Sequence, residues 1–568
     1  METRAAVSPP LAVGVDLGTS SARAVMFCAQ SGAVISESVV DYDSRCDGVL
    51  LDPSDHLIAR QDASSVGRAT VQALKHCVEE AARDSRFSPG SVVGIGVDAT
   101  ASTPVPVDST LQPLSDDERF RDQLPASAWL WKDHSSFAEA EELSAAARRS
   151  GDWFTQYGGS YSSEWFWAKV LRCRRVAPDV ADAAATWAEL SDLVPAWLCG
   201  ESSVQRLARN ICAAAHKSGY SVSGNGYPPR DFFYDVEPSL AEVWDTLNVR
   251  HYVGSERIGG LCPKVAEAIG LPAGIGVAAG TVDAHAGAIG AGVEPGALVK
   301  ILGTSACTIG VSPIDQRLPA IPGLSGIVEA SVIADHYGLE AGQAAFGDIL
   351  AATVSLFGEG ASHETLTLEA ENFQAGETGL LALDWHNGNR SVLNAPQLSG
   401  AVLGLSLGAR PGAVYRAMVE AICFGARTII EQIAGGGVDV DRVIVTGGIA
   451  LKNDLVLKTM ASILGRDIVV ASSAQAGALG AAINAAVAMG VYPDVPAAQA
   501  AMVPAPRDII HPEADDSAVY DQLFSLYRQL HDGFGGLVAS ADYSRVMQDL
   551  AAIRTAVVER KSAKKPSL

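Results

Sequence analysis

The feature that most constrains the fold is a strand-and-turn pattern that occurs twice. The first copy, LAVGVDLGTSSARAVMF, runs from Leu11 to Phe27, and the second, ALVKILGTSACTIGV, runs from Ala297 to Val311. In each copy an apolar segment enters Gly-Thr-Ser and a second apolar segment leaves it, which is typical of a β-hairpin with a glycine in its turn. Because Gly18 and Gly303 lie half a chain apart, the sequence predicts two similar lobes rather than a short-period repeat.

Strands and helices alternate after each hairpin pattern. In the first half, residues 63–83 have helical periodicity, and the apolar segment from Ser91 to Thr103 predicts a buried strand that ends in a turn of small polar residues. In the second half, Pro411 opens a helix that ends at glycines 435–437. A strand, a helix from about Asn453 and another turn-to-helix unit follow. The sequence therefore predicts an α/β fold with mixed β-sheets flanked by helices.

Two segments lack this regularity. Residues 108–150 and 199–236 are rich in aromatic, acidic and small side chains, and we expect loops or insertions that shape a cleft. The last eight residues, 561–568, are basic and contain a proline, so they are expected to form a frayed tail.

Charge excludes two classes of partner. Lysine and arginine number 42 against 65 aspartate and glutamate residues, which gives a net charge of −23. Nucleic acids and anionic membranes need a broad positive face, so neither is expected as a partner. An anionic substrate would need a local positive field from backbone amides, helix N-termini, a metal ion or one lysine.

The nine cysteines are scattered, and no signal-peptide pattern is present, so we expect a cytoplasmic protein.

The duplicated turns are candidates for phosphate binding. A tight Gly-Thr-Ser turn directs amide and hydroxyl groups onto one phosphate without a side-chain cation. The candidate phosphate-binding residues are Gly18, Thr19, Ser20, Gly303, Thr304 and Ser305. Such a turn on its own is as often purely structural, and the duplication favours phosphate. Asp16, at the end of the first strand, offers oxygen ligands for Mg²⁺. The P-loop pattern G-x-x-x-x-G-K-[ST] does not occur.

Further motifs carry a resemblance to a known family. They are VDATAST (97–103), WLWKDH (129–134), YSSEWFWAK (161–169), CAAAHK (212–217), GTVDAHAGAIGAG (280–292), GLEAGQAAFGD (338–348) and DWHNGNRS (384–391). With the hairpins and the VTGG and AGALG turns, they resemble the ATPase fold shared by actin, the heat-shock chaperones and the sugar kinases. Within that fold they resemble the FGGY carbohydrate kinases, and among these the ribulokinase group.

The resemblance implies a fold and an activity. The fold would consist of two ribonuclease H-like lobes with a cleft between them. Residues 11–284 would form the lobe that binds the sugar and carries the first phosphate hairpin, and residues 285–545 the lobe that binds adenosine and carries the second. Residues 546–568 would add a helix end and the basic tail. The activity would be the ATP- and Mg²⁺-dependent phosphorylation of L-ribulose at O5, with D-ribulose as a further candidate substrate, in L-arabinose breakdown.

The resemblance implies that Asp283, in GTVDAH, is the catalytic base. Phosphoryl transfer needs an acceptor beside the attacking hydroxyl to take its proton, while positioning and charge stabilisation supply most of the catalysis. A carboxylate in a glycine-rich strand-to-helix turn suits that role. The same position also suits a residue that only caps a helix beginning at Ala284.

The resemblance also implies sugar-side residues. Lys217 and Glu340 would contact the ketose, although a solvated lysine and a loop carboxylate are the ordinary alternatives. Trp131 would supply an apolar wall, or would belong to the core. Ala101 is expected on the sugar side and Asp98 on the magnesium side.

The remaining expectations concern the nucleotide. The family's adenosine site would comprise Gly447, Gly448, Asn453, Gln475 and Gly477. Arg23 would reach the terminal phosphate or pair with a carboxylate on the surface. Three histidines lie within the matched motifs, and we expect hydrogen-bonding roles rather than metal ligation for all of them: His134, His216 and His285.

Two alternatives stay open at this level. The first is a kinase for another ketose or polyol, such as D-ribulose, ribitol or xylulose, because few contacts read hydroxyl stereochemistry. The second is a nucleotide-switched binding protein of the actin or chaperone kind. The expected partners are L-ribulose and ATP, and a homodimer is the commonest assembly on general grounds.

Overall fold

The computed structural model describes residues 8–43, 48–151, 153–224 and 226–563. The strands of the first half are β1 (Leu11–Leu17), β2 (Ser21–Cys28), β3 (Val34–Asp41), β4 (Leu50–Asp52), β5 (Asp55–Gln61), β6 (Val92–Ala99), β7 (Pro104–Val107), β8 (Ala128–Trp129), β9 (Thr186–Glu189), β10 (Arg209–Asn210), β11 (His251–Tyr252), β12 (Arg257–Gly260), β13 (Gly276–Ala278) and β14 (Thr281–Val282). The strands of the second half are β15 (Gly296–Leu302), β16 (Ala306–Pro313), β17 (Gly326–Glu329), β18 (His336–Gln343), β19 (Leu381–Leu383), β20 (Ala401–Leu403), β21 (Val440–Thr446), β22 (Ile468–Val470) and β23 (Asp508–Ile510).

Helices cover both sheets. Those of the first half are α1 (Ala63–Ala81), α2 (Phe137–Ser150), α3 (Phe166–Val176), α4 (Pro178–Ala183), α5 (Leu190–Cys199), α6 (Ile211–Ser218), α7 (Arg230–Val236), α8 (Pro238–Leu247), α9 (Pro263–Ile269) and α10 (Asp283–Gly290). Those of the second half are α11 (Gly347–Leu356), α12 (His363–Ala370), α13 (Pro411–Gly435), α14 (Gly448–Lys452), α15 (Asp454–Leu464), α16 (Ala476–Ala488), α17 (Val495–Met502), α18 (Ala514–Phe534) and α19 (Val546–Ala563). Short 3-10 helices lie at Pro89–Ser91, Leu114–Asp116, Leu124–Ala126, Thr155–Tyr157 and Val204–Arg206.

The two large sheets share the same six-stranded core topology, to which the first adds β14 and the second adds β17. The first has the order β12-β13-β6-β1-β2-β3, with β14 also paired to β6, and the second has the order β17-β18-β16-β15-β21-β22-β23. In each sheet the two hairpin strands, β1 and β2 or β15 and β16, are antiparallel. The first strand of each hairpin pairs on its other side with a parallel strand, β6 or β21. The predicted α/β fold with two similar lobes is therefore confirmed.

The hairpin turns form as the sequence predicts. The amide of Gly18 donates to the Ser21 carbonyl at 3.1 Å, and the amide of Gly303 donates to the Ser305 carbonyl at 3.0 Å. In each lobe the hairpin turn lies at the edge of the sheet where the parallel strands end. Both Gly-Thr-Ser segments therefore stand at the carboxyl end of a central strand, where ligands bind in open α/β sheets.

The less regular segments contain more helix than the sequence indicates. Residues 137–150 form α2, with Ala140, Leu143 and Ala147 buried at helical spacing. Residues 211–218 form α6, which the Asn210 side chain caps by accepting a hydrogen bond from the amide of Ala213. The expectation of loops is wrong for these two stretches, because small residues give their buried faces little hydrophobic contrast.

Helix α16 joins the lobes. It belongs to the second half of the sequence, yet it packs on β1, β6 and α10. A Cβ on Gly14 would lie 1.7 Å from the Ala478 carbonyl oxygen, and one on Gly96 would lie 2.0 Å from that of Ala481. Only glycine permits this approach of strand and helix backbones. The predicted lobe boundary between Ala284 and His285 falls inside α10, and the division of the chain stays a prediction.

The C-terminus is helical further than expected. Helix α19 extends to Ala563, and Lys561 donates from Nζ to Glu377 at 2.7 Å. The predicted frayed tail is therefore wrong for residues 561–563, and residues 564–568 lie outside the described part of the chain. In that described part, no helix is long and apolar enough to cross a bilayer.

Candidate active site

Three carboxylates meet at the carboxyl ends of adjacent strands. Asp16 of β1 is the register partner of Asp98 in the parallel strand β6. Asp98 is also paired with Thr281 of β14, and that strand leads directly into Asp283, the first residue of α10. Because parallel strands end on the same edge of a sheet, this topology brings the predicted metal-side and catalytic residues together.

The environment opposes ionisation of all three carboxyl groups. Burial raises the pKa of Asp16. Burial and the neighbouring charges of Asp16 and Asp283 raise the pKa of Asp98 well above its usual value. Burial and the charge of Asp16 raise the pKa of Asp283 to about 7, against a hydrogen bond that the Ala284 amide donates to its Oδ1 at 2.6 Å.

The Asp16–Asp98 pair fits a divalent cation. Both carboxylate oxygens of Asp98 are buried, and Asp16 is the residue that faces them. Without a cation the two carboxyl groups can share a proton, and a divalent ion would replace that proton and relieve their repulsion. Paired carboxylates are ligands that Mg²⁺ prefers, so the residues present fit a magnesium ion.

A small cavity opens beside Asp283. It has a volume of about 120 Å³ and is lined by all five of the predicted sugar-side residues, namely Ala101, Trp131, Lys217, Asp283 and Glu340. Ser305 of the second hairpin also lines it. We call this cavity the sugar pocket. Its lining combines apolar walls with charged and polar side chains, an arrangement that suits a small polyhydroxylated ligand.

Lys217 and Glu340 face each other across the pocket. Glu340 lies in the middle of strand β18 rather than in a loop, and Lys217 lies in α6. The Lys217 Nζ donates to the Glu340 Oε1 at 2.6 Å. Burial opposes both charges, but their attraction outweighs it, so the pKa of Lys217 is raised and that of Glu340 is held well below its usual value.

Trp131 connects the sugar pocket to the first hairpin. Its Nε1 donates to the Thr19 Oγ1 at 3.1 Å, and the Gln61 Nε2 donates to the Thr19 carbonyl at 2.9 Å. This hydrogen bond fixes the indole against a candidate phosphate-binding turn, so Trp131 lies between the sugar pocket and that turn.

Sequence reasoning missed a second pair that bridges the lobes at the pocket. Arg390 donates from Nη2 to the Glu164 Oε1 at 2.7 Å, and both side chains line the cavity. Asn394, which follows on the same segment, lines it as well and donates to the Ser160 hydroxyl. Glu164 and Arg390 lie inside the motifs YSSEWFWAK and DWHNGNRS. Those motifs were the available signal, although they do not indicate which side chain points inward.

A larger cavity, of about 880 Å³, lies within the second lobe. Four of the predicted nucleotide residues line it, namely Gly303, Thr304, Gly448 and Asn453. Asn453 caps α15 by accepting a hydrogen bond from the Val456 amide at 3.1 Å. Gly447 precedes the lining residue Gly448 and has a φ of +97°. A Cβ at Gly447 would lie 2.6 Å from the Leu302 carbonyl oxygen. We call this cavity the nucleotide pocket.

Three predicted nucleotide residues lie elsewhere, beside Asp16. Arg23 donates from Nη1 to the Gln475 Oε1 at 2.8 Å, and the Gln475 Nε2 donates to Glu37 at 3.0 Å. A Cβ on Gly477 would lie 3.3 Å from the Asp16 carboxylate. The structure thus places Arg23, Gln475 and Gly477 at the carboxylate cluster rather than among the residues that line the nucleotide pocket.

Comparison with known proteins identifies the family. Residues 298–489 match the model of the FGGY family of carbohydrate kinases, C-terminal domain. The ribulokinase of Vibrio parahaemolyticus is 36% identical over 544 residues, which are 91% of this chain and 95% of that protein. The chain belongs to the ribulokinase group of the FGGY family. The ribulokinase of Mycolicibacterium smegmatis is 35% identical over 550 residues, which are 93% of this chain and 94% of that protein.

Solved structures of FGGY-type kinases share the fold. A ligand-bound xylulose kinase from Lactobacillus acidophilus superposes with a TM-score of 0.76 at 17% identity, over 92% of this chain and 98% of that one. The xylulose kinase from Rhodospirillum rubrum gives a TM-score of 0.74 at 21% identity, over 92% and 99%. These similarities extend over nine tenths of the chain and show that it shares the fold of these kinases.

Proposed function

We propose that the protein transfers the γ-phosphoryl group of ATP to O5 of L-ribulose, giving L-ribulose 5-phosphate and ADP. The observation that carries the proposal is the position of Asp283, between a small polar cavity and the Asp16–Asp98 pair. The identity of the substrate is taken from the ribulokinase relatives, which match over more than nine tenths of their length. The reaction requires ATP and belongs to arabinose breakdown, so we assign it to the cytoplasm, and a homodimer stays the expected assembly.

Asp283 is the proposed general base. With a pKa of about 7, the carboxylate is ionised in about half of the molecules at neutral pH and can still hold a proton taken from O5. As O5 forms its bond to the γ-phosphorus, the bond between that phosphorus and the β,γ-bridging oxygen breaks, and ADP leaves. The carboxylate thus takes up the one proton that the reaction releases from the sugar.

The sugar pocket would orient the ketose by charge-assisted hydrogen bonds. Glu340 offers acceptor oxygens to hydroxyl groups, and Lys217 offers donors to a carbonyl or hydroxyl oxygen. Trp131 supplies an apolar face for the carbon skeleton, and Ala101 leaves room beside it. Since Lys217 and Glu340 already hold each other, the pocket is arranged before the sugar enters it.

ATP would extend from the nucleotide pocket toward Asp283. Adenosine would lie near Gly448 and Asn453, and the amides of the Gly303–Ser305 turn would meet the phosphates. Asp16 and Asp98 would hold Mg²⁺, which when bound supplies positive charge to the phosphate oxygens. Arg23 lies beside that pair and places a further cation near the transferred group. A sugar that fills the pocket would keep water from taking the place of O5.

The decisive experiment is a coupled ADP-release assay of the purified protein with the four 2-ketopentoses, ribitol and a sugar-free control. We expect L-ribulose to give the highest kcat/KM. Asp283→Asn should lower kcat about 100- to 10,000-fold while sugar binding persists. The matched control is Asp179→Asn, since Asp179 also lies in the first turn of a helix but far from either pocket. ADP release that no sugar stimulates, or full activity of Asp283→Asn, would contradict the proposal.

A further inference from the structure

A buried cluster of metal-binding side chains lies behind the sugar pocket. His216, His285 and Glu340 each direct one potential ligand atom toward the others, and these atoms all lie within 4.8 Å of one another. The Glu340 Oε2 is 3.3 Å from the His285 Nε2 and 3.5 Å from the His216 Nδ1. Both imidazoles are fully buried, and Glu340 is 13% exposed. The sequence expectation treats both histidines as hydrogen-bonding residues only.

The three facing atoms contact one another only loosely, whereas their counterparts on the same side chains are held. The Glu340 Oε2 attracts both imidazoles, but the separations of 3.3 and 3.5 Å leave all three buried atoms without a well-formed hydrogen bond in the described part of the chain.

The opposite atom of each side chain is fixed. The His216 Nε2 contacts the Ser331 hydroxyl at 3.0 Å, and the His285 Nδ1 contacts the Cys212 sulfur at 2.6 Å. The Glu340 Oε1 accepts a hydrogen bond from Lys217 at 2.6 Å. Outer partners of this kind orient the ligands of metal sites and fix the tautomer of each histidine.

Two of the three distances suit one small ion. Two ligands bound to a tetrahedral ion at about 2.1 Å lie roughly 3.4 Å apart. The two separations from Glu340 match that value, and the two imidazole nitrogens lie within 4.8 Å of each other. Two imidazole nitrogens and one carboxylate oxygen are ligands that Zn²⁺ and neighbouring divalent ions accept, and such sites complete their coordination with water.

We propose that the His216 Nδ1, the His285 Nε2 and the Glu340 Oε2 form a binding site for one Zn²⁺ or similar first-row transition-metal ion, separate from the magnesium position at Asp16 and Asp98.

Some charges around the cluster oppose a bound cation and others favour it. Lys217 opposes a second cation, because its ammonium already holds Glu340. The carboxylates of Asp283 and Glu164 compensate, since Asp283 interacts with both His285 and Lys217, and Glu164 interacts with Lys217. A proton on His285, paired with Glu340, is the competing occupant, and its pKa is raised to about 9. That proton engages only the His285 Nε2 and the Glu340 Oε2, whereas an ion would engage all three atoms.

The ion would be coupled to the sugar because Glu340 serves both sites. This coupling rests on the proposed function. If sugar binding draws on the Glu340 carboxylate, then an ion on Oε2 and L-ribulose alter each other's affinity by the same factor. Metal binding itself requires no sugar, so it is tested separately.

The test is a titration of the metal-free, full-length protein with Co²⁺ in saturating Mg²⁺, which fills the carboxylate site. We expect one Co²⁺ per chain with the intense visible absorption of a tetrahedral nitrogen and oxygen site, and stoichiometric displacement by Zn²⁺. His216→Gln and His285→Gln should each weaken binding at least 100-fold, which exceeds the roughly 10- to 100-fold effect of losing an outer partner. His511→Asn, which changes a mostly exposed histidine, should bind as the wild type does.

Ser331→Ala keeps all three ligands and covers the case in which a histidine variant does not fold. It should weaken binding about tenfold or more, because the His216 imidazole loses its outer partner. The proposal is overturned if the folded wild-type protein gives no tetrahedral absorption, if either histidine variant binds Co²⁺ with unchanged affinity, or if a thiolate-to-cobalt band assigns Cys212 as a ligand. These readouts stand whether or not L-ribulose is the substrate.

Discussion

Lys217 in α6 and Glu340 in β18 form a 2.6 Å ion pair that joins the two lobes across the sugar pocket. The first lobe thus supplies the cation and the second lobe the anion of one binding unit. Opening of the cleft would separate them and expose both charges. The pair therefore makes the shape of the sugar pocket depend on how the lobes meet.

Replacing Glu340 should impair sugar use specifically. Glu340→Gln removes the charge from a group that is paired with Lys217 and would accept hydroxyl hydrogen bonds. A hydrogen bond to a charged group contributes about 1.5–3 kcal/mol, so the loss of one should lower kcat/KM for L-ribulose about 10- to 150-fold. The KM for ATP should stay within about twofold, because the nucleotide pocket is formed by other residues. Steady-state kinetics with each substrate varied in turn measures both effects.

Glu329→Gln is the matched control for that variant. Glu329 lies on the neighbouring strand β17, and its carboxylate accepts a hydrogen bond from the Ser223 amide at 2.7 Å, outside the sugar pocket. It should retain wild-type kinetics. Equal losses in the two variants would show that Glu340 acts through fold stability rather than through the sugar.

The pH profile should report the ionisation of Asp283. Burial and the charge of Asp16 raise its pKa to about 7, and only the ionised carboxylate accepts the proton of O5. The rate should therefore fall as the pH drops through about 7, tenfold per unit below it. Positive charge that Mg²⁺ brings into the complex favours the ionised form, so the acid limb of kcat should lie below that of kcat/KM. Profiles of both parameters between pH 5 and 9 measure this, and a flat acid limb would remove Asp283 from the role of base.

Much of the catalytic edge is predictable from sequence because local patterns determine it. The hairpin turns follow from glycine within paired apolar strands. Asp16 and Asp98 lie near the ends of the parallel strands β1 and β6, and Asp283 directly follows β14. Once the order of these strands is known, their carboxyl ends place the three residues at one edge of the sheet. The identity of Asp283 as the candidate base came from the family motif rather than from this geometry.

The contacts between the lobes are not predictable in the same way. Arg390 and Glu164 are 226 residues apart in the sequence, and no periodic pattern relates them. The same holds for His216 and His285, which reach Glu340 from separate helices. Helix α2 shows a different difficulty, since alanine on its buried face gives little contrast with its polar face. Tertiary packing therefore decides what local sequence leaves open.

The contact between Trp131 and Thr19 should matter for turnover. Trp131→Phe keeps an aromatic wall but removes the indole N–H that donates to the first hairpin at 3.1 Å. A hydrogen bond of this type contributes about 0.5–1.5 kcal/mol, so kcat should fall about two- to tenfold. Trp244→Phe is the control, because its indole donates to the Pro228 carbonyl at 3.0 Å away from both pockets. Equal kinetics in the two variants would separate Trp131 from catalysis.

The contact of α10 with α16 should tolerate no side chain at Gly480. A Cβ at Gly480 would lie 1.8 Å from the carbonyl oxygen of Ala286, so Gly480→Ala must push the two helices apart. Overpacking costs about 1–3 kcal/mol, and backbone contact leaves little room for relief. Because α10 begins at Asp283, its displacement should also lower kcat/KM at least about tenfold. Gly435→Ala, at an exposed helix end with nothing within 4 Å, is the control and should match or slightly exceed wild-type stability. Thermal unfolding and kinetics of the two alanine variants measure both effects, and a Gly480→Ala protein as stable and active as Gly435→Ala would show that the helices are free to separate without moving Asp283.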